Sequence, residues 1–173
     1  MDKAQRDSLT ERHLLLFGTI IHWFARYELL MQEVMAAVAG CDGASIMLLT
    51  RGLDFSGKRR ALLDLLRHRK LPVDRFDRMS SYLMVPHTLT PLRNDIAHSV
   101  WIPGASGGAI QPNWILRLPR SIKPLHGDDL PDEDSLGYSL EDLKETVETL
   151  AENYARFSDY LREIGLLGSD AAG

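Results

Sequence analysis

Cysteine is nearly missing from this 173-residue chain. Cys41 stands alone, which excludes an intramolecular disulfide and any cysteine-based zinc knuckle. Long apolar runs are missing too. Ile46-Met47-Leu48-Leu49 is short, and His22, Arg26 and Glu28 interrupt the hydrophobic stretch near the N-terminus, whereas a membrane span needs about 18 to 20 apolar residues. Met1 to Arg12 is polar and mixed in charge, unlike a secretory signal. The expectation is a cytoplasmic protein with no membrane partner. No glycine-rich loop closes on Lys-Ser or Lys-Thr, and there is no His-Glu-x-x-His and no nucleophile elbow. The histidines at 13, 22, 68, 87, 98 and 126 form no ligand pair with a nearby acid, so neither a metal nor another cofactor is expected.

What is present is the composition of a globular domain, 45% hydrophobic and 25% charged, in a length that suits one domain over 1–173. The net charge of −4 hides an asymmetry. From Arg51 to Arg78 nine Lys and Arg stand against four Asp, and from Leu125 to Glu163 twelve acids stand against three bases. A basic segment is either a nucleic-acid footprint or a solvated helix face that pairs with the acidic one.

The periodicity predicts a mainly α fold. Leu16, Phe17, Ile20, Ile21, Phe24, Leu30, Met31, Val34, Met35 and Val38 recur at helical spacing, giving one helix from about Leu9 to Val38 with Thr10 as cap. Trp23, Phe24 and Tyr27 read as core. Ala44 to Thr50 reads as a further helical turn or two. Phe55 to His68 is a second long helix, with Ser56 as candidate cap, and Asp74 is a candidate cap for a third that carries Phe76, Met79, Tyr82 and Leu83. Thr90-Pro91 resembles a cap followed by proline, opening a helix to about Val100. Glycines and prolines then make 99–137 an irregular insertion. In it Ser99–Ile102 and Asn113–Leu118 can pair as a hairpin, with Trp101 and Trp114 as a cross-strand pair. An acidic loop from Gly127 to Asp134 follows. Ser139 and Asp142 resemble a capping box for a last helix to about Ile164, whose stripe is Leu143, Val147, Leu150, Tyr154, Phe157 and Leu161. Residues 168–173 read as a frayed tail.

Chemistry concentrates in Arg93-Asn94-Asp95-Ile96-Ala97-His98. On a helix Asn94 and His98 are four apart and share a face, roughly 40° from eclipsed, while Arg93 lies roughly 140° from His98 with a fork long enough to reach back. The set comprises a permanently charged bidentate phosphate donor, an orienting amide and an imidazole, the side chain that titrates near neutrality. It suffices for RNA cleavage without metal, the imidazole moving protons and the guanidinium stabilising phosphate charge. The same spacing suits a buried polar network that ties helices together, and on spacing alone both readings stay open.

Leu92-Arg93-Asn94-Asp95-Ile96-Ala97-His98 resembles the signature of the HEPN (higher eukaryotes and prokaryotes nucleotide-binding) superfamily: arginine, a polar residue, a short spacer and histidine in a helical bundle. The layout is similar as well, with a long first helix carrying Glu28 and a second opening at Phe55-Ser56-Gly57-Lys58. The resemblance implies a four- to five-helix bundle, to which this chain's 99–137 segment adds a small β-hairpin insertion, and a metal-independent endoribonuclease that acts on single-stranded RNA as a homodimer. Such proteins include toxins of toxin–antitoxin systems and phage-defence effectors, so an antitoxin or regulatory protein joins the expected partners. It further implies that Arg93, Asn94 and His98 are catalytic and Glu28 supports Arg93 or His98. Arg59, Arg60, Arg67 and Lys70 are the candidate RNA-binding residues. Val100 stands where some family toxins carry a tyrosine two residues after the histidine, which argues against silencing by AMP transfer to such a tyrosine. The alternative is a non-catalytic HEPN-like module that binds a nucleotide, RNA or protein, of antitoxin or immunity type.

Overall fold

The computed structural model describes residues 9–104, 108–112 and 137–168. Its first helix, α1, is Glu11–Ala39. Thr10 caps it, and the cap is reciprocal. The Thr10 hydroxyl lies 2.8 Å from His13 Nδ1 and accepts from the His13 amide, while the Thr10 amide donates to the same Nδ1 at 3.1 Å. This is a capping box with imidazole in the place of a carboxylate or amide. Gly40, at φ 71°, ends the helix in the left-handed conformation that favours glycine.

The short apolar piece is a full helix, α2, Gly43–Thr50, capped by Asp42 through Ser45. Helix α3 covers Phe55–His68, with a different cap from the one expected. Asp54 Oδ1 accepts the Gly57 amide at 2.7 Å, and Ser56 stands inside the first turn. Helix α4, Val73–Thr88, also departs from expectation. It starts at the residue after Pro72 with no side-chain cap, and Asp74 lies within its first turn, where a carboxylate suits the positive helix end. Only Leu89 separates α4 from α5, Thr90–His98. The Thr90 hydroxyl turns back to the Pro86 carbonyl at 3.4 Å rather than capping its own helix.

The hairpin exists with a shifted register. Strand β1, Trp101–Pro103, pairs antiparallel with β2, Ile110–Pro112, so the second strand begins before Asn113. Asn113–Leu118, Trp114 and the acidic loop lie outside the described residues. Helix α6, Leu140–Glu163, opens on the expected capping box. The Ser139 amide donates to Asp142 at 2.7 Å and the Asp142 amide donates to the Ser139 hydroxyl at 3.1 Å. Of the tail, 169–173 lies outside the described residues. The protein is mainly α with a small two-stranded sheet.

The chain groups into two compact units. The described residues of 1–21 and 91–147 make the first, and those of 22–90 and 148–173 the second. In the first, Trp101 packs on Phe17 at 4.6 Å between ring centroids and on Tyr138 at 5.9 Å, with Ile20, Leu92, Ile110 and Leu143 buried. In the second, Phe24, Tyr27, Leu30 and Met31 from α1 join Leu62 and Leu66 from α3, Met79 and Leu83 from α4, and Leu150, Phe157 and Leu161 from α6. Among the described helices α1 alone is long and apolar enough to cross a membrane. A third of its apolar window is buried; along the helix Phe24, Tyr27, Leu30 and Met31 are buried, while Leu14, Leu15 and Leu29 are exposed.

Candidate functional site

Helix α5 presents the motif at three depths. Leu92 and Asp95, three residues apart, face inward, with Asp95 only 2% exposed. Arg93 and Asn94 are half-buried on its flanks, and His98, the last helical residue, is exposed. The Arg93 fork curls toward its neighbour, where Nη1 donates to Asn94 Oδ1 at 3.2 Å. That contact draws the guanidinium to the flank that Asn94 shares with His98, while Arg93 Nε is buried with no hydrogen-bond partner. The His98 imidazole makes no hydrogen bond or ion pair among the described residues, and the residue is exposed. The arrangement offers one positioned cation and one accessible proton carrier on a single short helix.

Asp95, a spacer position in the motif, is a buried carboxylate between its fixed residues. Its inward place was not legible in the sequence, because carboxylates are seldom core residues. His13 is a second buried polar residue with no sequence signal beyond its place three residues after Thr10. It is 2% exposed, and burial holds its imidazole below the usual range.

The remaining candidates lie in the second unit. Glu28 pairs with Lys58, Oε2 to Nζ at 2.5 Å. Lys58 is itself buried, so it belongs to that unit's interior and not to the basic surface. Arg59 is half-buried with Nε unpartnered, and burial first, then the nearby Arg67 charge, holds its guanidinium below the usual range. Arg67 pairs with Asp64 at 3.0 Å and lies 4.8 Å over the Phe76 ring. Arg60 and Lys70 are exposed with no ion pair among the described residues. Lys70 holds a φ of 54°, the left-handed region. Arg69 donates to the Ala39 carbonyl at 3.0 Å, which ties it to the end of α1.

Trp23 is packed rather than offered for stacking, since it sits 5.4 Å from Tyr154 with Arg26 lying over both rings. A cleft of about 690 Å³ in the same unit is lined by Arg26, Leu30, Glu33, Tyr154, Ser158 and Arg162, among others. Among the described residues no group of three or more His, Cys, Asp and Glu is arranged to hold a metal ion. No family model matches this chain, and no curated protein or solved structure matches it either.

Proposed function

We propose that the protein is a metal-independent endoribonuclease of HEPN type that acts on single-stranded RNA as a homodimer, in the role of a toxin or phage-defence effector. The observation that carries this reading is the α5 arrangement: an exposed His98 on the same helix as an Arg93 fork hydrogen-bonded to Asn94. The chemistry needs no further group. A ribose 2′-hydroxyl attacks the adjacent phosphorus, and an imidazole accepts its proton. The P–O5′ bond breaks, and a protonated imidazole supplies the proton to the departing 5′-oxygen. The products are a 2′,3′-cyclic phosphate and a 5′-hydroxyl. Arg93 stabilises the extra charge on the phosphoryl oxygens as the bond order changes. Asn94 restrains the fork and so keeps the cation in place.

Arg59 beside Arg67, with Arg60 and Lys70 near them in sequence, supports an RNA path. Lys and Arg side chains that neutralise phosphates release counterions and so strengthen binding. The half-burial of Arg93 favours a second reading, in which the motif binds nucleotide, RNA or a protein without turnover.

The test is a labelled RNA pool incubated with purified protein in EDTA. The parent chain should cleave it, leaving 2′,3′-cyclic ends, and His98→Ala and Arg93→Ala should each lose about 10²- to 10⁴-fold. Because His98 is exposed, its substitution should change stability by no more than about 0.5 kcal/mol. Equal cleavage by parent and variants sinks the assigned site, and RNA binding without turnover favours the second reading.

A further inference from the structure

Two side-chain stripes line the cleft of about 690 Å³ in the second unit. Arg26, Leu30, Glu33 and Ala37 follow one another along α1 at steps of four, three and four, which keeps them within about 60° around the helix. Tyr154 and Ser158 stand four apart on α6, and Leu166 follows just past its end. The Tyr154 ring lies 4.5 Å from the Arg26 guanidinium, and from there the groove continues to Ala37 on one side and Leu166 on the other. The stripes therefore run in the same direction, and Ser158 falls between the levels of Arg26 and Glu33.

Three polar groups in this groove are left without a match. Arg26 is held by rings and not by an acid. Its guanidinium also lies 5.0 Å from the Trp23 ring, and it makes no hydrogen bond or ion pair among the described residues. Ring contact engages the face of a guanidinium, whereas its donors point outward in its plane. Glu33 is exposed and likewise unpaired among the described residues. It stands seven residues from Arg26, about 10 Å along the axis, so the two do not neutralise each other. Ser158 carries the argument furthest. It is 6% exposed, and its Oγ is buried with no hydrogen-bond partner. A buried helical serine ordinarily bonds the carbonyl four residues back; this one does not, and an unpaired buried polar atom needs a reason. Arg162 lines the groove too, with its charge answered by Asp159 at 2.9 Å.

We infer that this groove binds a short peptide of about three residues with both termini free. Its carboxylate pairs with the Arg26 fork and its ammonium with Glu33. An amide group between them meets the Ser158 hydroxyl, which can donate to a carbonyl or accept from an N–H. Three extended residues span about 10 Å, the separation of the two charges along α1. A single amino acid, with both charges on one carbon, is too short to reach both. A fatty acid leaves Glu33 unmatched, and a phosphomonoester is repelled by it.

Calorimetric titration of the full chain with trialanine tests the inference. Trialanine should bind saturably. N-acetyl-trialanine, which lacks the ammonium, and trialanine amide, which lacks the carboxylate, should each bind at least about tenfold more weakly, the loss of one charge-assisted hydrogen bond. 6-Aminohexanoate carries both charges without an internal amide and should bind about two- to tenfold more weakly. Arg26→Gln should weaken trialanine by the same tenfold and leave trialanine amide unaffected, while Glu33→Gln should spare N-acetyl-trialanine. Ser158→Ala has a second readout. It should bring trialanine down to the level of 6-aminohexanoate with a melting temperature at or above the parent's, because the hydroxyl has no partner to lose in the free protein. No saturable binding of trialanine overturns the inference, as does equal binding of the blocked peptides. A lower melting temperature for Ser158→Ala overturns the role of its hydroxyl. The groove lies in the second unit and the motif in the first, so a chain inactive on RNA that binds trialanine upholds the inference. An active chain that does not bind it overturns the inference and leaves the roles of Arg93 and His98 intact.

Discussion

Asn153 Nδ2 donates to the main-chain carbonyl of Tyr82 at 2.9 Å, the carbonyl that Pro86, four residues on in α4, cannot serve because proline has no N–H. The same amide donates to the Tyr27 hydroxyl at 2.6 Å, and that hydroxyl donates to the Leu150 carbonyl. One side chain thus repairs a proline defect inside a helix and joins α1, α4 and α6 in the second unit. Asn153→Leu should cost about 2 kcal/mol, since buried polar groups lose their partner. Adding Pro86→Ala restores an N–H to the helix, so the double variant should be more stable than the sum of the two single losses by about 1 kcal/mol. Urea unfolding of the four-member cycle measures it, and simple additivity would sink the account.

His13 makes the first unit sensitive to acid. Its imidazole is buried and neutral, and burial depresses its proton affinity in the folded state. The unfolded chain binds that proton more readily, near the ordinary value of about 6.5. The sign follows: stability is full above about pH 6.5 and declines as pH falls below it. His13→Gln keeps an acceptor for the Thr10 amide and removes the titration. Its melting temperature should therefore fall less than the parent's between neutral and mildly acidic buffer. Parallel curves would assign the acid sensitivity elsewhere.

Glu28 has a structural duty that can be separated from any catalytic one. Its removal strands the Lys58 ammonium, whose side chain is 10% exposed, against 23% for that of Glu28. Burying an unpaired charge completely costs about 3 to 5 kcal/mol; partial exposure of the pair reduces the expected loss for Glu28→Ala to about 2 kcal/mol. Lys58→Met in the same background should recover most of that stability. If cleavage returns with it, Glu28 acts through folding. If stability returns and cleavage does not, Glu28 serves the motif.

Arg60 and Lys70 should register as phosphate contacts. For single-stranded RNA the slope of log K against log salt falls by about 0.7 for each contact removed, so the paired substitution Arg60→Ala and Lys70→Ala should flatten it by about 1.4. An unchanged slope would remove this segment from the RNA path.

Lys70 carries a separate signature in its backbone. A lysine at φ 54° sits where glycine is preferred, at a cost of about 1 kcal/mol. Lys70→Gly should raise stability by about that amount while weakening RNA binding, and thermal melts beside binding titrations would show the opposed effects. A loss of stability would place other contacts at Lys70.

The helices and their order were written in the sequence itself, because apolar side chains at 3.6-residue spacing admit no other regular backbone. Phe55–His68, the Ser139–Asp142 box and the Thr10 cap follow from residues within four positions of each other, and local chemistry determines them. So does the α5 motif as a set of residue types. Tertiary structure decided what each residue does. Spacing could not tell that Lys58 is buried against Glu28, that Asp95 turns inward while His98 stays in solvent, or that Asn153 completes a helix some seventy residues earlier in the chain. It could not place β2 at Ile110, where Gly104 and Ala109 close the turn through a 2.8 Å hydrogen bond. Burial and long-range hydrogen bonding depend on what the rest of the chain brings alongside, and that is information no local window holds.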